Sequence, residues 1–153
     1  MSRFLYNLEE GLTLKVVFGQ PVPPSFHADL CDVSVLNVRG ERVTWCTIHA
    51  FTNNCAIKAI SYPHSHPLTM FKYIEAFIFH QLKCSLIIGS DKVGGTTMRL
   101  IESLGDYTID PGNGVWNHIY TKDRNHYTKL FRKELTADMY PINYFANGPI
   151  SVE

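Results

Sequence analysis

The stretch LIIGSDKVGGTTMRLIESLGDYTID, Leu86 to Asp110, constrains this chain more than any other. A short apolar run comes first, then a glycine pair, an amphipathic segment, a second glycine stop and a β-branched run. Thr97 or Met98, Ile101 and Leu104 recur at helical spacing, with Arg99, Glu102 and Ser103 on the opposite side. Gly105 ends that helix in the usual C-terminal position. The run CSLII, Cys84 to Ile88, has no alternation, as expected of a strand buried on both faces. We expect it to be a central strand between two helices. Gly94–Gly95 carries neither a G-x-G-x-x-G nor a P-loop lysine pattern, so the pair reads as the start of the second helix and not as a phosphate cradle.

Upstream of this unit the texture is β. TLKVVFG is a short strand, and GQPVPPSF (Gly19 to Phe26) is a break, because its prolines exclude a central strand or helix. DVSVLNV, VTWCTIHAF and AIKAISY then read as three strands joined by the turns RGER and TNNC, an antiparallel meander. PLTMFKYIEAFIFHQL, Pro67 to Leu82, has Met70, Phe71, Ile74, Phe77, Ile78 and Leu82 at helical spacing. Pro67 suits the first turn, where its missing N–H costs nothing. Tyr73, Ala76 and Phe79 widen the stripe, so this helix is expected to be covered on more than one side. Downstream, DYTID and VWNHIYT flank PGNG, a hairpin turn. NHYTKLFRKEL, Asn125 to Leu135, reads as a short helix in a C-terminal arm. The domain is expected over residues 1–122 and the arm over 123–153, packed by its aromatic residues on the domain or on a partner.

Charge narrows the partners. Lys plus Arg and Asp plus Glu number 14 each, so the formal charge is zero. A protein that neutralises many phosphates carries a basic excess, which argues against nucleic acid. No apolar run approaches the length of a membrane span. The four cysteines lack C-x-x-C spacing and read as reduced structural thiols, in the cytoplasm or in a particle assembled there.

Several residues could carry chemistry. His64 and His66 in PHSHP could share a face, yet no carboxylate or cysteine lies near in sequence to complete a metal set, so no metal is expected. His49 and His80 could approach only through the fold. Cys84 as a nucleophile would need a histidine within reach, and His80 stands on the preceding helix. His118 alternates with Trp116 and Tyr120, which suits core or interface. No residue stands out as catalytic.

The order meander, helix, strand, helix, closing strands resembles the GNAT family of acyl-CoA-dependent N-acetyltransferases, over roughly Val33 to Thr121. The second helix shares the family pattern at Thr97, Arg99-Leu100, Glu102 and Leu104-Gly105. The resemblance implies an α/β (α+β) GNAT-like fold, a mixed and mainly antiparallel sheet with helices on both faces. It also implies an acyl-CoA site in the gap between the fourth and fifth strands of the family core, with cofactor contacts from Tyr62, His64, Ser65, His66, Leu68 and Thr69. That loop, YPHSHPLTM, departs from the family's Arg/Gln-x-x-Gly-x-Gly/Ala. A β-carbon at each glycine position obstructs approach to a pyrophosphate, and prolines remove N–H donors. The family's asparagine at the second helix falls on Gly94 and its tyrosine acid on Ile101. Such a chain is similar to small divergent GNAT-like proteins among phage products, some of them virion components. The expectation is therefore a degenerate binding or structural module that uses no cofactor and docks a protein partner or a second copy. The alternative is an active acetyl-CoA-dependent N-acetyltransferase.

Overall fold

The computed structural model describes residues 2–21, 29–52, 55–60, 67–92, 94–109 and 128–152. In chain order these form β1 (Ser2–Asn7), β2 (Thr13–Pro21), β3 (Asp29–Leu36), β4 (Arg42–Thr52), β5 (Cys55–Ile60), α1 (Pro67–His80), β6 (Leu86–Lys92), α2 (Thr96–Leu104), β7 (Thr108–Ile109), β8 (Thr128–Glu134) and β9 (Ser151–Val152). A 3₁₀ turn, Ala137–Met139, precedes the last strand. The nine described strands join one sheet in the order β7-β8-β6-β5-β4-β3-β2-β1-β9. Neighbouring strands are antiparallel except β5 and β6, which are parallel.

The meander forms where the alternation places it. Val33 pairs with Val16 on one side and Cys46 on the other, so one face collects Leu14, Val16, Cys31, Val33, Val35, Cys46 and Ile48, all buried. The turn from β3 to β4 is held by Asn37, whose side-chain oxygen accepts from the amides of Arg39 and Glu41 at 2.9 and 3.0 Å. The N-terminal strand β1 adds Tyr6 opposite Leu14 on this same face.

α1 lies against that face. Phe71, Ile74 and Ile78 are buried, and so are Tyr73, Ala76 and Phe77 around its circumference. The second cover is the chain after β8. Phe145 sets its ring edge-on to Tyr6 and Phe77, with centroids 5.1 and 5.5 Å apart, and Tyr144 does the same to Tyr73 at 5.5 Å. His80 Nε2 lies 2.8 Å from the carbonyl of Tyr140.

Three observations differ from expectation. Thr128–Glu134 is a strand between β6 and β7, and not the short helix expected over Asn125–Leu135. The apolar spacing there is i, i+1 and not one helical stripe: Leu130 and Phe131 are both fully buried because they project to opposite faces of a strand inside the sheet. The central strand runs from Leu86 to Lys92, later than Cys84–Ile88, because β8 pairs it as far as Lys92. Finally, the two described helices share one face: Met98 and Ile101 of α2 join α1 in a single core cluster, while Ile88 and Leu130 point the other way and are not part of it. β5 to β6 and β6 to β7 step across the sheet in the same direction, and right-handed crossovers then put both helices on the same side. The hairpin expected around Pro111–Gly114 and the row Trp116, His118, Tyr120 lie outside the described residues.

Candidate functional site

Two places among the described residues are candidate sites. The first is the gap between β5 and β6. These strands pair from Cys55↔Leu86 to Lys58↔Gly89 and then part, although β5 continues to Ile60 and β6 to Lys92. α1 begins at Pro67, after the end of β5. Of the expected cofactor residues, Leu68 and Thr69 fall in the first turn of α1, where backbone N–H groups have no partner within the helix. Tyr62, His64, Ser65 and His66 lie outside the described residues.

The glycine pair sits where the second helix starts. Gly94 has φ +75°, a left-handed backbone that a side chain disfavours, and Gly95 is the residue just before α2. Arg99 reaches back and donates from Nε and Nη2 to the Gly94 carbonyl, at 3.2 and 3.1 Å. Gly105 closes the helix, also at φ +75°.

The second place was not foreseen. Glu75 is 4% exposed in a helix that is otherwise mostly apolar. A buried carboxylate is tolerable only when fully bonded. Its Oε2 accepts from the Tyr107 hydroxyl at 2.5 Å, and its Oε1 accepts from the Tyr140 hydroxyl at 2.6 Å and from Lys133 Nζ at 2.8 Å. Lys133 also donates to Asp106 Oδ2 at 2.6 Å. The network ties α1, the start of β7, β8 and the C-terminal segment together. It floors an open cleft of about 590 Å³, whose rim adds Lys72 and Arg132. The sequence signal was present: one acid set among the apolar residues of YIEAFIF. Its partners stand far along the chain, so local pattern could not name them.

Burial pushes the phenols of Tyr107 and Tyr140 up, and the Glu75 carboxylate beside them adds to it. Burial alone would lower the Lys133 ammonium, but its bonds to Asp106 and Glu75 outweigh that and raise it. The sign follows directly. A group with a raised folded value holds its proton where the unfolded chain releases it. The tyrosines' contribution is intact below their ordinary value of 10.0 and that of Lys133 below 10.5; each is lost as pH climbs through the folded value. The urea midpoint is therefore expected to hold between about pH 8 and 10 and to fall steeply above. A midpoint unchanged at about pH 11.5 would show that these groups are not held as described.

Of the remaining candidates, Cys84 and His80 lie among the described residues. Cys84 is buried, burial pushes its thiol up, and its Sγ lies 3.6 Å from the Leu82 carbonyl. His80 is engaged through Nε2 with the Tyr140 carbonyl. Among the described residues no group of three or more His, Cys, Asp or Glu could hold a metal ion. No described helix is long and apolar enough to cross a membrane.

No family sequence model and no curated protein sequence matches the chain. Solved structures do. The chain superimposes on the N-acetyltransferase PseH of Campylobacter jejuni with TM-score 0.51 and 10% identity, covering 70% of this chain and 69% of that one. The same protein in complex with acetyl coenzyme A gives the same values. A spermidine N-acetyltransferase SpeG chimera of Vibrio cholerae and hSSAT gives TM-score 0.51 and 12% identity, covering 69% of this chain and 65% of that one. At such identities the likeness shows the fold, and the fold is that of the GNAT N-acetyltransferases, in a divergent form.

Proposed function

We propose that the protein is an acyl-CoA-dependent N-acyltransferase. The observation that carries this reading is the parting of β5 and β6 beyond Lys58↔Gly89, in a fold shared with PseH, which has been solved with acetyl coenzyme A. The gap and the helix start suit an extended cofactor whose pyrophosphate needs N–H donors. The first-turn amides of Leu68 and Thr69 would face that anion, and the backbone at the end of β5, near Ile60, would orient the acyl group. The cofactor would supply an activated thioester for direct attack by an amine. The chain's own part at these positions is to bind and align.

A second reading is favoured by one observation: Tyr62 to Thr69 contains no glycine and two prolines. On that reading the fold serves as a binding module for a protein partner or a second copy. Calorimetric titration with acetyl-CoA separates the two. The acyltransferase reading expects a micromolar Kd, about −8 kcal/mol, and His64→Gly then preserves or tightens it by giving the backbone room. Binding no tighter than millimolar, about −4 kcal/mol, overturns the enzyme reading in favour of the module.

A further inference from the structure

The cleft above Glu75 has charges of both signs on its walls. Lys72, three residues before Glu75 and on the same side of α1, lines one wall. Asp106, just before β7, and Glu134, at the end of β8, line the other. With Arg132 and Lys133 the lining holds three cations and three carboxylates, so it is neutral overall and strongly polar. Its floor is fixed: Glu75 and Tyr140 are buried and bonded to each other. The groups above it keep bonding capacity. Lys133 Nζ spends two of its three hydrogens, on Glu75 and Asp106. Asp106 accepts at Oδ2, and its Oδ1 has no partner among the described residues. The exposed Lys72 ammonium likewise has no carboxylate partner among the described residues and stands 5.0 Å from the centre of the Tyr73 ring. A smaller cleft of about 220 Å³ adjoins at Lys72, Met139 and Tyr140, and Ala76, Pro141 and Ile142 give it an apolar lining.

We propose that this double cleft is a second ligand site, and that it takes a free amino acid with a large apolar side chain. A polyanion placed there meets Glu75, Asp106 and Glu134, and a polycation meets Lys72, Arg132 and Lys133. A dipolar molecule satisfies both walls. Its carboxylate takes the Lys72 ammonium and the third hydrogen of Lys133, and its ammonium takes Asp106 Oδ1 and Glu134, all of them charge-assisted bonds. Its side chain enters the smaller cleft, beside Met139 and Ile142. The site is separate from the acyl-CoA gap. Arg132, Lys133 and Glu134 pair with Ile88, Ile87 and Leu86, at the start of β6, whereas β5 and β6 part only beyond Gly89. The inference therefore goes beyond the acyltransferase reading and does not depend on it.

The test is calorimetric titration of the full chain with L-phenylalanine, L-phenylalaninamide, N-acetyl-L-phenylalanine and glycine. A ligand of the size of phenylalanine is expected to bind with a Kd on the order of 1 mM. The amide lacks the carboxylate, the N-acetyl compound lacks the ammonium and glycine lacks the side chain, so each should bind at least about 10-fold more weakly. Lys72→Met removes one charge and keeps the aliphatic stem. It should weaken L-phenylalanine by about 10-fold and leave the already weak amide unchanged, because the amide has no carboxylate for Lys72 to hold. Lys72 is exposed, so the variant is expected to fold, and its melting curve establishes that it does. No binding of L-phenylalanine at about 20 mM overturns the proposal. So do equal affinities for L-phenylalanine and any one of the other three ligands, and so does full affinity for L-phenylalanine in Lys72→Met. None of these outcomes touches acetyl-CoA binding, which is read separately.

Discussion

A chain ending at Thr136 is expected to lose its cooperative unfolding transition. β8 stays in such a chain, but Tyr140, Tyr144, Phe145 and β9 do not. Phe145 is 2% exposed and Tyr140 7%, and burying each large side chain is worth about 1.5–3 kcal/mol. Their removal also uncovers Tyr6, Tyr73 and Phe77, and takes one donor from the buried Glu75. The total approaches the about 5–15 kcal/mol that holds an ordinary domain together. Circular dichroism during urea denaturation checks it. Phe145→Ala, expected to cost about 3–5 kcal/mol with the fold retained, is the graded version of the same experiment. A shortened chain that melts like the full one would show that the aromatic contacts across α1 are incidental.

Glu75→Ala is expected to destabilise by about 3–5 kcal/mol, the range found when one partner of a buried ion pair is removed. Three donors lose their acceptor at once, and Lys133 keeps Asp106 as its carboxylate partner among the described residues, itself half exposed. Glu75→Gln keeps the shape and one carbonyl oxygen but loses the charge, so a smaller loss of about 1–3 kcal/mol is expected. Tyr140→Phe, combined with Glu75→Ala, should cost less than the sum of the two, with a coupling of about 0.5–3 kcal/mol, because the groups touch. Denaturant titrations of the three variants and the double variant supply the cycle. Strict additivity would mean that the 2.6 Å contact between them contributes nothing.

Much of the fold could be read because local pattern and tertiary role agree. β3 and β4 alternate, their turn carries Asn37 and Gly40, and α2 has one apolar stripe and a glycine stop. The excess of apolar residues around α1 correctly announced a second cover. β8 was misread because Phe131 and Leu135 stand four apart, as on a helix, although Leu135 follows the strand and Leu130 and Phe131 are buried on its opposite faces. The helices were expected on both faces because periodicity gives each helix an apolar side but not the side of the sheet on which it lands. The handedness of the crossovers decides that. The cofactor residues proposed from the family resemblance fall between Tyr62 and Thr69, of which only Leu68 and Thr69 are described, in the first turn of α1. The Glu75 network is the reverse case: one member was conspicuous, and its partners come from three separate parts of the chain.

The pairing of Phe145 with Tyr6 and Phe77 also bears on how the protein is made. At about 5–20 residues per second, a ribosome that has just added Phe77 needs on the order of 3–14 s more to reach Phe145. During that interval the outer side of α1 has no cover, and a nascent chain that carries Tyr73 and Phe77 on one helix face is a target for chaperones or for its neighbours on the same messenger. The expression yield of this protein should therefore respond to translation speed and chaperone supply more than its finished stability would suggest.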